Sequence, residues 1–94
     1  MSDLNTDEVA QLLRVIADPT RLRILELLAT SESGEICACD LPDELLRSQS
    51  TVSHHLGQLV NAGVILREQR GKWAWFRTDG PRLDAIRSAL ARLS

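Results

Sequence analysis

The sequence predicts a mainly helical fold carrying one β-hairpin, in the order four helices, two strands, one helix. Three observations lead there. Apolar residues recur at spacings of three and four along most of the chain. The period changes only over residues 64–78, where two short runs flank Arg70-Gly71. The composition, 44% hydrophobic and 26% charged with three prolines and five glycines, is that of a globular chain, not of a disordered or collagen-like one. Ninety-four residues suit a single domain, taken as residues 1–94. So small a domain leaves much surface wet, and a partner subunit is expected.

Each element has its own signal. Val9, Leu12, Leu13 and Ile16 mark one face of a first helix. Asp18-Pro19 reads as an N-cap followed by proline at the first helical position. Leu22, Ile24, Leu25, Leu27 and Leu28 make the second helix largely buried, and Ser31–Gly34 ends it. A third, short helix is expected to start at a capping Asp40 and run to about Arg47, with Pro42 tolerated in its first turn. Ser48 opens a fourth, whose Val52, Leu56, Leu59 and Val60 face inward, and Asn61-Ala62-Gly63 is its exit. Val64–Gln69 and Lys72–Thr78 are the strands, the second holding Trp73, Trp75 and Phe76. Asp79-Gly80-Pro81 breaks the hairpin, and Leu83, Ile86, Leu90 and Leu93 mark the last helix.

No stretch approaches the roughly 18 apolar residues of a membrane span. The start, MSDLNTDEVA, is acidic and polar, unlike a signal peptide, so a cytoplasmic protein is expected. Cys37 and Cys39 are too close in sequence to staple distant parts of the fold. In a reduced compartment a reactive or metal-binding thiol pair is the expected reading rather than a structural disulfide.

The net charge of −2 conceals a division. Residues 1–46 carry ten acids and three bases, residues 47–94 eight bases and three acids. A basic half suggests a face made for a polyanion. Two short helices meeting at Arg47–Ser50 form a helix-turn-helix candidate, and the basic hairpin after it forms a wing. With Val52, Leu56, Leu59 and Val60 inward, a step of about 100° per residue puts Ser50, His54, Gln58 and Asn61 outward. Thr51, Ser53 and His55 flank them. Gln49, Ser50, Thr51, Ser53, His54 and Gln58 are therefore candidates for contact with base edges or phosphates in a major groove. Arg67, Arg70, Lys72 and Arg77 are candidates for phosphate contact from the wing. His54 and His55 point too far apart to chelate one ion, and partial packing is expected of His55. Val9, Leu12, Ile16, Leu83, Ile86, Leu90 and Leu93 supply apolar stripes that suit a homodimer built from the end helices.

Three segments carry a resemblance: Asp18-Pro19-Thr20-Arg21-Leu22-Arg23-Ile24-Leu25, Glu35-Ile36-Cys37-Ala38-Cys39-Asp40-Leu41 and Ser48-Gln49-Ser50-Thr51-Val52-Ser53-His54-His55-Leu56. Together with the hairpin Arg67–Arg77 they resemble the ArsR/SmtB family of bacterial metalloregulators, through nearly the whole chain. The resemblance implies a homodimeric winged helix-turn-helix repressor, released from double-stranded operator DNA when a metal or metalloid binds. It implies that the fourth helix reads DNA and that the first and last helices form the dimer. The likeness is closest to arsenic and antimony sensors with Cys-Val-Cys-Asp-Leu-Cys at the third helix. Cys37 and Cys39 match the first two thiols, and Pro42 stands at the third. The family's other site uses Asp and His on the last helix. Asp84 is present, but no histidine follows His55.

As(III) or Sb(III) is thus the expected inducer, held by Cys37 and Cys39, since soft sulfur donors select soft ions. Zinc normally takes four protein ligands and is poorly served. On a regular helix a C-x-C pair points to different sides, so drawing both sulfurs onto one atom is expected to unwind the third helix's first turn. Two alternatives use the same residues differently. One keeps the repressor but makes the thiols a redox switch. The other, a small thiol reductase, lacks the usual C-x-x-C beside a strand–helix unit. A bare protein-interaction module is a fourth reading, separated from the repressor by salt-dependent binding to promoter DNA.

Overall fold

The computed structural model describes residues 4–93, so Met1–Asp3 of the acidic start and Ser94 lie outside the described residues. Helix α1 (Thr6–Ile16) begins at a capping box that its apolar spacing does not announce. Asn5 Oδ1 accepts the Glu8 N–H at 2.8 Å, and Glu8 Oε1 accepts the Asn5 N–H at 3.0 Å. Helix α2 (Pro19–Thr30) follows Asp18, whose carboxylate accepts the N–H groups of Thr20 and Arg21. Both caps satisfy N–H groups that a helix start leaves without internal partners.

After α2 the chain does something its pattern did not announce. Glu35–Cys37 forms a short strand, β1, followed by a 3-10 turn, Ala38–Asp40, and only then helix α3 (Leu41–Leu45). The expected cap at Asp40 is not made: that residue is already in helical conformation, and its side chain caps nothing. Helix α3 also stops short of Arg47. Leu46, left-handed at φ 53° and 84% exposed, makes the turn to the next helix. Helix α4 (Gln49–Asn61) starts at Ser48, whose hydroxyl accepts the Thr51 N–H at 3.2 Å.

Strands β2 (Ile65–Arg70) and β3 (Trp73–Thr78) make the wing, and helix α5 (Gly80–Ala91) ends the fold. The turn is Gly71-Lys72, one residue later than expected, with Gly71 at φ 60°, a conformation glycine adopts without steric cost. The sheet has three strands in the order β1-β3-β2, all antiparallel, with Cys37 opposite Trp75 and Glu35 opposite Arg77. The mainly helical fold with a hairpin wing therefore stands, and β1 is an addition to it. Ile24, Leu41, Val52, Leu59, Val64 and Ile65 are sealed from solvent at its centre. They come from α2, α3, α4 and the approach to the wing, so one core holds the helix pair and the wing together. No helix among the described residues is long and apolar enough to cross a membrane.

Candidate nucleic-acid interface and cysteine site

Helix α4 buries Val52, Leu56 and Leu59 and keeps Val60 half-buried, as its spacing requires. Gln49, Ser50, Ser53, His54, Gly57 and Asn61 are exposed. The sides are less symmetric than the sequence suggested. Gln58 is half-buried and lines a shallow cleft with Asp7 and Gln11 of α1 and with Arg82. Thr51 is half-buried too, its hydroxyl accepting from Ser48 Oγ at 2.9 Å. Gly57, which was not singled out, lies open on the same helix. The two histidine rings sit 5.6 Å apart at 62° and do not converge. His54 is exposed, while His55 is half-buried and accepts at Nδ1 from Arg21 Nε at 3.1 Å. The Arg21–His55 contact was not legible beforehand, because 34 residues separate its partners.

Strand alternation divides three of the wing cations between two faces and leaves Lys72 in the turn at the tip. Arg67 stands opposite Phe76, sharing the face that looks toward α4, and donates to Gln69 Oε1. Arg70 and Arg77 lie on the other face with Glu68 and Trp75. Arg70 is engaged there. Its guanidinium pairs with Glu35 and with Glu68, and stacks 5.1 Å from the centroid of Trp75. The Glu35 contact, then the Glu68 one, holds its proton still more firmly than an ordinary arginine's. Lys72 at the wing tip lies 5.4 Å over Trp73, and Arg77 is exposed.

Cys37 closes β1 and caps the 3-10 turn, while Cys39 lies within that turn. Their Cα atoms are 5.2 Å apart, and the sulfurs are joined as a disulfide, where two free thiols were expected. The physical reason is the backbone. Cys37 is extended (φ −72°, ψ 136°) and the turn folds back on it, so Cys37 Sγ also accepts the Cys39 N–H at 3.3 Å. The expected unwinding of a regular helix is therefore not needed to bring the sulfurs together. They already meet, ahead of α3. Cys37 is 3% exposed and Cys39 is open. Among the described residues no group of three or more His, Cys, Asp or Glu is placed to hold a metal ion. The pair fits a thiophilic centre that needs few protein donors better than zinc.

A cleft of about 600 Å³ lies between the turn, α4 and the wing. Cys39 and Pro42 line it together with Val52, Ser53, Leu56, Arg67, Trp73 and Phe76, among others, and among the described residues no carboxylate does. Another cleft, about 510 Å³, touches Cys37 from the other side and is acidic, with Glu35, Asp40, Asp43 and Glu44 on its walls.

The expected dimer residues separate by exposure. Leu12 and Ile86 are buried in the protomer's own core, and Val9, Ile16 and Leu83 are half-buried against it. Leu90 and Leu93 are 42% and 80% exposed near the end of α5.

Residues 18–66 match the arsR family of bacterial regulatory proteins. An HTH-type transcriptional regulator of Methanocaldococcus jannaschii is 41% identical over 74% of this chain and 76% of its own. The arsenical resistance operon repressor of Escherichia coli is 46% identical over 71% of this chain, which spans 56% of that protein's length. A repressor of the same name from Staphylococcus aureus is 37% identical over 84% of this chain and 73% of its own. Among solved structures, a possible transcriptional regulator for arsenical resistance superposes with a TM-score of 0.78 at 31% identity, covering 88% of this chain and 83% of its own. HlyU from Vibrio cholerae does so with a TM-score of 0.77 at 26% identity, covering 98% and 97%.

Proposed function

The chain belongs to the arsR family of bacterial transcriptional regulators, which are not enzymes, and from that premise we propose that it is an operator-binding repressor released by trivalent arsenic or antimony on Cys37 and Cys39. One observation carries the reading. The two sulfurs meet at the junction of β1 and α3, with Cys37 paired to the wing strand opposite Trp75 and Cys39 lining the cleft under α4. A ligand on that pair touches both elements that present side chains to DNA. Gln49, Ser50, Ser53 and His54 enter the major groove, and Arg67, Lys72 and Arg77 take phosphates, in a homodimer that places two such helices on one operator. The protein acts where its operator is, in the cytoplasm. Coupling of a few kcal/mol between sensor and DNA is enough to vacate an operator.

The test is a gel shift on the protein's own promoter fragment, titrated with arsenite, antimonite, cadmium and zinc under reducing conditions. Arsenite and antimonite release the DNA, and zinc does so poorly. Cys37→Ser and Cys39→Ser each bind DNA but no longer release it. A Cys37→Ser protein that arsenite still removes from DNA excludes the two-cysteine sensor.

The disulfide favours a second reading, a redox switch on the same pair. Two thiols then give two electrons and two protons to a peroxide, leaving the disulfide and two waters or an alcohol and water. Release by peroxide, reversed by reductant with no metalloid present, distinguishes it.

A further inference from the structure

Arg67 and Gln69 are two apart on β2 and so share its face toward α4, opposite Phe76 and Ala74 of β3. The Arg67 guanidinium donates from Nη2 to Gln69 Oε1. Gln69 Nε2 donates in turn to the Gly71 carbonyl at 3.0 Å. Only one orientation of the amide serves both partners, because a guanidinium offers no acceptor and a carbonyl no donor. Gln69 thus ties Arg67 to the left-handed turn at Gly71 (φ 60°). Partner charge separates the two arginines of β2. Arg70 is held by the carboxylates of Glu35 and Glu68, whereas Arg67 is held by a neutral amide and keeps its charge whole.

Arg67, Gln69 and Lys72 line the cleft between the wing and α4, with Gln49, Ser53 and Asn61 on the α4 side. Cations and amides, with no carboxylate among the described residues there, suit a phosphate-bearing strand. An unheld arginine has wide rotamer freedom, and contact with a phosphate removes it. One already held in place loses less on binding. From this arrangement we propose that Gln69 is a positioning residue for DNA binding, holding Arg67 ordered and fully charged for a backbone phosphate. This rests on the DNA-binding reading above and adds to it a residue that acts through Arg67. It also explains why the partner is an amide. A carboxylate at position 69 could order the guanidinium equally well, but it would cancel the charge that the phosphate requires.

The test measures affinity for own-promoter and random duplexes at several salt concentrations, with Arg67→Ala as the reference variant. Arg67→Ala lowers the slope of log affinity against log salt by about 1. Gln69→Met, which keeps the side chain's length and removes its amide, weakens both duplexes alike by about two- to tenfold and leaves the slope unchanged. Gln69→Glu, which keeps an acceptor for Arg67 but adds a negative charge, lowers the slope as Arg67→Ala does. In the Arg67→Ala background Gln69→Met has no further effect, whereas a role confined to shaping the turn weakens binding there too. Three results each overturn the proposal and leave the DNA reading intact: a Gln69→Met protein that binds as the parent does, a Gln69→Met loss that persists in full without Arg67, or a Gln69→Glu protein with the parent's slope. A parent whose binding is indifferent both to salt and to Arg67→Ala overturns the wing's phosphate contact itself, and the positioning role with it.

Discussion

Arg21 donates from Nε to Nδ1 of His55 at 3.1 Å, joining the first turn of α2 to the middle of α4. The same guanidinium donates from Nη1 to the Val15 carbonyl at 2.8 Å. That carbonyl needs such a donor, because the residue four positions on is Pro19, which has no N–H. One side chain thus ties α1, α2 and the helix proposed to read DNA. Asp18 Oδ2 lies 3.8 Å from the same His55 Nδ1.

Removing Arg21 leaves two part-buried acceptors without a donor. Arg21→Ala should lower stability by about 1–3 kcal/mol. Urea unfolding should show a lower midpoint at an unchanged slope. Arg21→Lys should rescue little, because an ammonium cannot reproduce the planar fork that serves both acceptors. A Lys variant as stable as the parent refutes this role.

Asp18 gives the pH dependence a sign. The Arg21 backbone N–H first, then the nearby His55, the Thr20 N–H and the Arg21 charge, hold its carboxyl below the ordinary carboxylate value against a smaller desolvation effect. A carboxyl depressed in the folded state contributes stability above its unfolded value of roughly 3.9, and loses it as pH falls through the folded value. Asp18→Ala should therefore cost about 1 kcal/mol at neutral pH. That cost should shrink in acid, as the parent's carboxyl protonates. Thermal melts of both proteins from pH 7 to pH 3 check this, and a gap constant over that range contradicts it.

What the sequence made legible follows from how local each signal is. Helices α2 and α4 and their caps at Asp18 and Ser48 were readable because spacing and capping are decided within a few residues. Strand β1 was not, because three residues cannot show alternation; Glu35–Cys37 is a strand only through its pairing with β3. The same pairing explains the sulfurs. Cys37 and Cys39 meet because one ends a strand and the other lies in a 3-10 turn, which no helical phase anticipates. The four wing cations are plain in the sequence, but the division of Arg67, Arg70 and Arg77 between faces depends on register. The engagement of Arg70 depends on Glu35, which lies 35 residues away.

The exposures along α5 sharpen the dimer prediction. Leu90 is exposed over about two fifths of its surface, whereas Ile86 lies in the protomer core. Leu90→Asp should abolish self-association with only a small loss of monomer stability, within about 0.5 kcal/mol, the usual range for surface substitutions. Ile86→Ala should cost about 2–5 kcal/mol whether or not a dimer forms. Sedimentation and chemical unfolding run in parallel separate the two effects. A parent protein that sediments as a monomer at micromolar concentration excludes the dimer.

The wing cations should not be equivalent in DNA binding. Lys72 is at the exposed tip, and Arg67 is on the face toward α4, whereas Arg70 is held by two carboxylates. A guanidinium already neutralised by Glu35 and Glu68 brings little net positive charge to the phosphates, so few counterions leave the DNA on its account. Lys72→Ala should lower the slope of log affinity against log salt by about 1 and weaken all sequences alike. Arg70→Ala should change that slope far less, and Glu68→Gln should raise affinity by relieving a nearby negative charge. His54→Ala, on the outer face of α4, should instead reduce the preference for operator over random DNA while leaving the salt slope in place. Anisotropy titrations of operator and random duplexes at several salt concentrations resolve all four variants. An Arg70→Ala slope change as large as that of Lys72→Ala means that the carboxylates release Arg70 on contact with DNA, and the static pairing then misjudges its charge.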